Sequence, residues 1–284
     1  MLSSSFKTIR AGQRLLDFNT PKIMGIVNVT PDSFFDGGRY VAMEDALEHA
    51  TGLLGDGADI LDIGAYSSRP NAKHVSEDEE IDRLIPFIQK LKMKHPDSII
   101  SVDTFRAKVA EEAIQAGAHI INDISGGSLD KEMYATVGRL KVPYILMHMR
   151  GNPQTMQSLT DYDDLISDIS YYFADRISKL RASGVQDIIL DPGPGFAKTL
   201  DQNYELICRF SEFKSFGLPL LGAVSRKSMI YNALGISAQE ALNGTAVLNT
   251  VLLLCSADLL RVHDVKEAKE AIELIKRINR YKTN

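Results

Sequence analysis

The sequence has 284 residues, of which 44% are hydrophobic and 24% are charged, and its formal net charge is −5. This length and composition allow either one large globular domain or two small ones with a sizeable apolar core. The acidic balance argues against a general binder of nucleic acids or anionic membranes, because such binding depends on surplus lysine and arginine. No segment approaches the roughly 18 uncharged apolar residues of a membrane-spanning helix. We therefore predict a cytoplasmic protein without nucleic-acid or membrane partners.

The two cysteines give no sign of a metal site or a disulfide framework. Cys208 and Cys255 lie far apart in apolar helical segments, without the paired spacing that is typical of zinc ligands. Two buried thiols are therefore predicted, as in a protein of a reducing compartment.

Short apolar segments recur along the chain and are separated by longer amphipathic ones. Continuous apolar runs of this length are typical of strands that are buried on both faces of a parallel sheet. Gly57, Gly117 and Gly184 follow three of the helical segments and suit left-handed helix ends. The predicted strands are residues 23–29, 60–63, 99–102, 120–124, 142–147, 188–190, 218–224 and 259–262.

Eight alternating strand and helix units predict a (β/α)₈ TIM barrel, since no Pro-rich or Ser-rich linker divides the chain. We predict a single domain over residues 1–284, in which residues 1–21 are an N-terminal extension. A doubly wound open sheet fits less well, because the segment after the first strand is not the G-x-G-x-x-G that such folds usually carry.

Each predicted strand ends at a polar or ionisable side chain. The carboxyl ends of barrel strands converge on one mouth, where barrel enzymes hold their active sites, so these residues predict a polar cavity. For Asp62 and Asp123 taken singly, a role in helix capping or turns is the simpler explanation. The residues at the strand ends are Asn28, Asp62, Asp103, Asn122 with Asp123, His148, Asp191, Ser225 with Arg226 and Lys227, and Arg261 with His263.

Two connections at this mouth are longer than a barrel requires. Residues 30–41 and 64–76 each run about a dozen residues without helical periodicity, whereas such loops typically have about 2 to 6 residues. We interpret both as functional lids.

Several segments resemble the ordered signature segments of the dihydropteroate synthase family. They include GIVNVTPDSFFDGGRY, DIGAYSSRP, SVDTFRAKVA, MHMRGNPQTMQ, LDPGPGFAKT, SRKSMI and RVHDV, and the resemblance extends from about residue 22 to about residue 265. Three loop positions depart from the family pattern. Tyr66 stands where glutamate is common, and Asn71 and Ala197 stand where glycine is usual.

The resemblance implies a transferase of folate biosynthesis. Such an enzyme condenses 6-hydroxymethyl-7,8-dihydropterin diphosphate with 4-aminobenzoate, with Mg²⁺, and releases 7,8-dihydropteroate and pyrophosphate. The implied chemistry is ionisation at the pterin CH₂ group, followed by attack of the arylamine on the pterin cation. The resemblance also implies a sulfonamide target and a homodimer, and the apolar C-terminal segments 252–254 and 272–278 offer surface for one.

The pterin ring needs a carboxylate beside a cation or an amide, because its edge carries N–H donors next to a carbonyl acceptor. Asp191, Lys227 and Asn122 suit that edge. Asp103 could stabilise positive charge on the ring. Phe196 and Met147 would supply apolar faces, and the resemblance implies the same pterin-site roles.

The leaving pyrophosphate needs cationic groups and a metal ligand. Asn28 could offer Mg²⁺ one side-chain oxygen, and Arg261 and His263 could bind phosphate oxygens. We also assign Val262 and Ser68 to the pterin diphosphate site. An alternative for the RVHDV segment is that Arg261 pairs with an aspartate and that Asp264 only caps the last helix.

By resemblance, 4-aminobenzoate lies between the two long loops, with its carboxylate toward Ser228 and its ring flanked by Phe34 and Pro70. Arg69 belongs to the same site, and Asp36 would face the pterin cation. The residues predicted to act in catalysis are Asp103, Lys227, Asp36 and Arg69.

Two other functions remain open at this stage. A corrinoid-dependent methyltransferase acting on methyltetrahydrofolate would share the barrel and the pterin contacts, but it would not need the SSRP loop or the basic cluster. A non-catalytic pterin-binding module would not need Asn28, Arg261 and His263, the residues suited to a leaving group.

Overall fold

A computed structural model describes residues 7–29, 39–66 and 75–281, with eight parallel strands enclosed by helices. A two-stranded antiparallel hairpin precedes the barrel strands. The strands are β1 (Thr8–Ala11), β2 (Arg14–Asp17), β3 (Lys22–Asn28), β4 (Ile60–Gly64), β5 (Ile100–Asp103), β6 (Ile120–Asp123), β7 (Tyr144–Met147), β8 (Ile188–Asp191), β9 (Leu221–Gly222) and β10 (Leu259–Val262).

Helices connect the strands and pack their apolar faces on the outside of the sheet. Gly57, Gly117 and Gly184 have positive φ angles after α1, α3 and α5, as the sequence predicts. The first helix begins at Arg39, so the first long connection ends before the predicted residue 41. The helices are α1 (Arg39–Asp56), α2 (Glu77–Lys94), α3 (Ala107–Gln115), α4 (Met133–Leu140), α5 (Leu165–Ala182), α6 (Leu200–Cys208), α7 (Ser228–Leu234), α8 (Leu242–Leu254) and α9 (Val265–Asn279).

The strand order in the sheet is β8-β7-β6-β5-β4-β3-β10-β9, and every pairing is parallel. A bridge between Leu190 and Leu220 joins the first and last strands of that order, and the Leu190 amide donates to the Pro219 carbonyl at 2.9 Å. These contacts close the sheet, and the predicted (β/α)₈ barrel is confirmed.

The β1–β2 hairpin closes the end of the barrel at which the strands begin. Its side chains Ile9, Ala11, Leu16 and Phe18 are buried in one cluster with inward-facing residues of the barrel strands, most of them near the strand starts. The sequence prediction of an extension over residues 1–21 does not include this hairpin. Among the described residues, the hairpin covers this end of the barrel, so the interior is open at the end where the strands finish.

Two further sequence predictions concern the burial of the cysteines and the absence of a membrane-spanning helix. Cys208 is exposed, so the prediction of a buried thiol is wrong there, because the last residue of α6 faces away from the sheet. Cys255 is partly buried. Across the described ranges, no helix is both long and apolar enough to cross a membrane.

Candidate active site

Strand alternation brings the predicted polar residues together inside the barrel. In β8, Ile189 belongs to the cluster above the hairpin, so Asp191, two positions later, points to the same interior. The same rule places Asp62 above Ile60, Asn122 above Ile120 and Arg261 above Leu259. The barrel therefore has an apolar floor and a polar upper layer.

A charged ladder crosses this upper layer. The Arg261 guanidinium donates from Nε to Asp62 Oδ2 at 2.6 Å and from Nη2 to Asp103 Oδ2 at 2.8 Å. Asp62 Oδ2 also accepts from Asn122 Nδ2 at 3.0 Å. Asp62 thus links Asn122, a candidate for the pterin site, to Arg261, a candidate for the leaving-group site. The site residues predicted from the sequence do not include Asp62. Its position at a strand end could have indicated a role in the site, but residues that only form turns occur at the same position.

Burial sets the ionisation of these groups. Desolvation raises the pKa of Asp103 to about 7, with Arg261 opposing the rise and Asp62 adding to it. Burial also raises the pKa of Asp191, against the effect of Lys227, and it lowers the pKa of Lys227 to about 8. Both Asp103 and Lys227 therefore titrate near neutral pH, as groups at functional sites commonly do.

The loop after β8 shapes one wall of the site. Asp191 Oδ1 accepts from the Gly193 amide at 2.8 Å, and Lys227 Nζ donates to the Pro194 carbonyl at 2.6 Å. The same ammonium lies 4.6 Å from the centroid of the Phe196 ring. Gly193 has a φ of +68°, and a Cβ there would lie 2.2 Å from the His148 carbonyl oxygen, so the tight turn requires glycine.

A second lysine, which the sequence prediction omits, holds this loop from behind. Lys198 is buried, and its Nζ donates to the carbonyls of Gly193 and Phe196 at 3.0 Å each and lies 3.1 Å from His148 Nδ1. Burial lowers the pKa of Lys198 to about 7 and the pKa of His148 well below its usual value. These contacts fix the loop that carries Phe196.

Two pairs join the turns after β9 and β10. Ser225 Oγ lies 2.9 Å from His263 Nδ1 and accepts from the His263 amide at 3.1 Å. Arg226 donates to both Asp264 oxygens, at 3.0 and 2.8 Å. Asp264 precedes α9 but makes no side-chain cap, so the alternative role of Asp264 as a capping residue is wrong. The same alternative also predicted that Arg261 pairs with an aspartate, and Arg261 does pair with Asp62 and Asp103.

A cavity of about 750 Å³ opens above the ladder. It is large enough for two small substrates. Among the predicted site residues, the lining includes Asn28, Asp103, Phe196, Lys227, Ser228, Arg261 and His263.

Other predicted residues lie outside the lining of this cavity. Asn122, Met147 and Asp191 are buried at the same end of the barrel. The Val262 side chain is buried in the layer between sheet and helices. Neighbouring side chains of a strand face opposite sides, so the inward direction of Arg261 turns Val262 outward. Phe34, Asp36, Ser68, Arg69 and Pro70 lie outside the described residues.

Asp123 and Ala197 have structural roles. Asp123 accepts from the amides of Ser125 and Gly127, at 2.7 and 2.9 Å, so the turn interpretation is correct for Asp123 and wrong for Asp62. Ala197 has a φ of +49°, the left-handed region that favours glycine.

Comparison with known proteins identifies the family. The family model described as "Pterin binding enzyme" matches residues 24–263. The chain belongs to the pterin-binding enzyme family. Within this family it is 42% identical to the dihydropteroate synthase of Escherichia coli K12 over 262 residues, which cover 92% of each chain. It is 46% identical to that of Synechocystis sp. PCC 6803 over 90% of this chain and 89% of the relative.

Solved structures of dihydropteroate synthases share the whole fold of this pterin-binding enzyme. The Yersinia pestis enzyme in a sulfonamide drug complex has a TM-score of 0.90 at 40% identity, over 96% of this chain and 99% of that one. The Xanthomonas albilineans enzyme with 4-aminobenzoic acid has a TM-score of 0.89 at 34% identity, over 97% and 99%. The same enzyme with 7,8-dihydropteroate has a TM-score of 0.86 at 32% identity, over 96% and 98%. The resemblance seen in the sequence is confirmed.

Proposed function

We propose that this chain is a dihydropteroate synthase, which condenses 6-hydroxymethyl-7,8-dihydropterin diphosphate with 4-aminobenzoate in folate biosynthesis. The observation that carries the proposal is one cavity with two chemically different walls. Lys227 lies near Asp191 on one side, and Arg261 and His263 lie on the other. The relatives support the synthase over a methyltransferase, because those compared above are dihydropteroate synthases that match at least nine-tenths of this chain.

The Asp191 side suits the pterin. Its carboxylate accepts from N–H donors of a pterin edge, and the Lys227 ammonium donates to the adjacent carbonyl oxygen. The Asn122 amide is oriented by its donation to Asp62, so its oxygen is left to accept from the ring. Phe196 and Met147 supply apolar contacts for the ring faces.

The Arg261 side suits the leaving group. When the C–O bond at the pterin CH₂ group breaks, both bonding electrons leave with pyrophosphate and the pterin becomes a cation. Ionised Asp103 stabilises that cation electrostatically, while Arg261 and His263 bind phosphate oxygens. The amine of 4-aminobenzoate then forms the new C–N bond and loses a proton.

The donor chemistry of the cavity is compatible with Mg²⁺. Among the described residues no three His, Cys, Asp or Glu side chains group to hold a metal ion, whereas Asn28 offers one amide oxygen at the cavity. Mg²⁺ is commonly held by one or two protein oxygens, waters and substrate phosphate. When bound, the ion would neutralise charge on the departing pyrophosphate.

The outer part of the cavity suits the nucleophile 4-aminobenzoate and the sulfonamides that compete with it. Ser228 lines it together with Tyr231 and Asn232 of α7, which can meet a carboxylate and an aromatic ring. The Xanthomonas structure with 4-aminobenzoic acid and the Yersinia structure with a sulfonamide drug support this assignment and a sulfonamide-sensitive enzyme. A homodimer and a cytoplasmic location stay predictions.

Pyrophosphate release from the pterin diphosphate, measured with and without 4-aminobenzoate, tests the function. We expect release that depends on both substrates, stops with EDTA and returns with Mg²⁺. Asp191→Asn should weaken pterin binding at least tenfold, because it leaves Lys227 without its buried counter-charge, at a cost of about 1.4 kcal/mol or more.

Asp258→Asn is the matched control. Asp258 also pairs with a lysine, Lys7 at 2.8 Å, but at the closed end of the barrel. It should leave pterin binding unchanged. Pterin binding without pyrophosphate release would instead indicate a non-catalytic module, and equal effects of the two substitutions would contradict the proposed pterin site.

A further inference from the structure

Ser225 makes two hydrogen bonds to one residue of the active site. Its Oγ accepts from the His263 main-chain N–H at 3.1 Å and lies 2.9 Å from Nδ1 of the His263 ring. Ser225 is buried, with 5% of its surface exposed. The two bonds therefore fix both the backbone and the ring of His263 from one oxygen atom.

The number of hydrogens in this arrangement determines the histidine tautomer. The main-chain N–H can only donate, so Ser225 Oγ must accept there. Its own hydrogen then needs an acceptor, and within the described ranges Ser225 Oγ has no third partner. Donation to His263 Nδ1 satisfies every group. The reverse arrangement, with Nδ1–H donating to Oγ, would leave the Ser225 hydroxyl hydrogen without a protein acceptor among the described residues.

We propose that Ser225 is a positioning residue that holds neutral His263 as the Nε2–H tautomer, so that His263 presents a hydrogen-bond donor to the cavity. A neutral imidazole carries one donor and one acceptor nitrogen. If Nδ1 carried the hydrogen, the nitrogen farther from Ser225 would be an acceptor, which repels phosphate oxygens. This role rests on the proposed function, in which His263 meets the leaving pyrophosphate.

The contacts of Arg226 distinguish its role from that of its neighbour Ser225. Its guanidinium is bound by Asp264 and by the carbonyl oxygen of Gln239, at 2.7 Å, so it fixes the relation between the turns after β9 and β10. These bonds of the Arg226 guanidinium do not involve the His263 ring. Ser225, and not Arg226, thus bonds to Nδ1 of that ring.

Nitrogen NMR of histidine-labelled protein tests the tautomer directly. The chain has six histidines, and the His263→Gln variant identifies the His263 signals by their loss. At a pH well above about 6.5, where unperturbed imidazole is neutral, we expect His263 to show a single Nε2–H pattern. Ser225→Ala should show a mixture of tautomers, and Ser225→Thr, which retains a hydroxyl, should restore the single pattern.

Binding of inorganic pyrophosphate with Mg²⁺, measured by calorimetry, tests the consequence. Ser225→Ala should weaken pyrophosphate binding about tenfold, the upper range for one hydrogen bond, and leave the KM for 4-aminobenzoate unchanged. Ser98→Ala is the matched control. Ser98 is also buried, and its Oγ donates to the His95 carbonyl at 2.8 Å, before β5 at the closed end of the barrel. It should lower stability without changing the tautomer or pyrophosphate binding.

The outcomes separate this inference from the proposed function. An Nδ1–H tautomer in the unaltered protein would overturn the inference, whether or not Ser225→Ala folds. A change in pyrophosphate binding with an unchanged tautomer would also overturn it, because Ser225 would then contact the ligand itself. If the unaltered protein has the Nε2–H tautomer but does not bind pyrophosphate, the proposed leaving-group site fails while the assigned tautomer stands.

Discussion

At the scale of single residues, the Arg261 guanidinium lies between two carboxylates. Asp62 and Asp103 would repel each other across the barrel if Arg261 did not pair with both, at 2.6 and 2.8 Å. The pKa of Asp103 nevertheless rises to about 7, since burial outweighs the attraction to Arg261. A carboxylate with this pKa is partly ionised at neutral pH, and its ionised form can stabilise a cation that forms beside it.

The pH dependence of kcat/KM should therefore be bell-shaped. Asp103 acts as the carboxylate, so activity should fall as pH decreases through about 7, and Lys227 acts as the ammonium, so activity should fall as pH increases through about 8. Asp103→Asn should lower kcat about 100-fold and remove the acidic limb. Lys227→Met should remove the alkaline limb. If both limbs persist in both variants, they belong to the substrates.

Ala197 shows what a departure from the family pattern means physically. Its left-handed backbone costs a non-glycine residue about 1 kcal/mol. Its methyl group is buried beside Met147 and Met156, and its carbonyl accepts from the Tyr162 hydroxyl at 2.8 Å. Burial of the methyl group, which glycine would lack, offsets this backbone cost.

At the scale of elements, the β1–β2 hairpin determines which end of the barrel is open. It buries apolar side chains against residues near the start of the barrel strands, while the polar layer lies at the other end. A floor of this kind excludes water from below the charged ladder and so strengthens its electrostatic interactions.

Substitution within the hairpin should change stability and not chemistry. Ile9 is 1% exposed, so Ile9→Ala should lower the free energy of unfolding by about 2 to 4 kcal/mol, with the KM for pterin diphosphate unchanged. Leu15 in the same hairpin is 69% exposed, and Leu15→Ala should change it by less than about 0.5 kcal/mol. Urea denaturation measures both values. Equal effects of the two substitutions would show that the hairpin does not seal the barrel.

At the scale of the whole molecule, the C-terminal helices leave apolar side chains exposed. Val247 and Leu254 lie seven residues apart, on one face of α8, and both are about half exposed. Leu274 and Ile278 are similarly exposed on the neighbouring α9, whereas Leu252 and Ile272 of the predicted segments are buried. An apolar face of this kind is compatible with the predicted homodimer.

If the face of α8 joins two copies, Leu254→Glu should convert a dimer into a monomer in sedimentation velocity, because a buried unpaired carboxylate would oppose association. Folding should be unaffected, since Leu254 is exposed in the single chain. Met93→Glu on α2, where Met93 is also exposed, should leave the dimer intact. A monomeric unaltered protein, or a dimer that tolerates Leu254→Glu, would contradict this interface.

The sequence by itself determined the barrel and most of the polar residues at its mouth. Apolar runs, glycine helix ends and polar strand ends are local patterns, and eight repetitions of one pattern leave few possible folds. The signature segments identified the family for the same reason, since they are contiguous in the chain.

Only the tertiary structure decided which polar residues work together. Asp62 and Asp123 have the same local pattern, yet Asp62 binds Arg261, 199 residues away, and Asp123 holds its own turn. Likewise, Ser225 and His263 come into contact because β9 and β10 are neighbours in the sheet. Such pairs depend on the direction of each side chain and on strand order, which the closed barrel fixes and local sequence patterns do not contain.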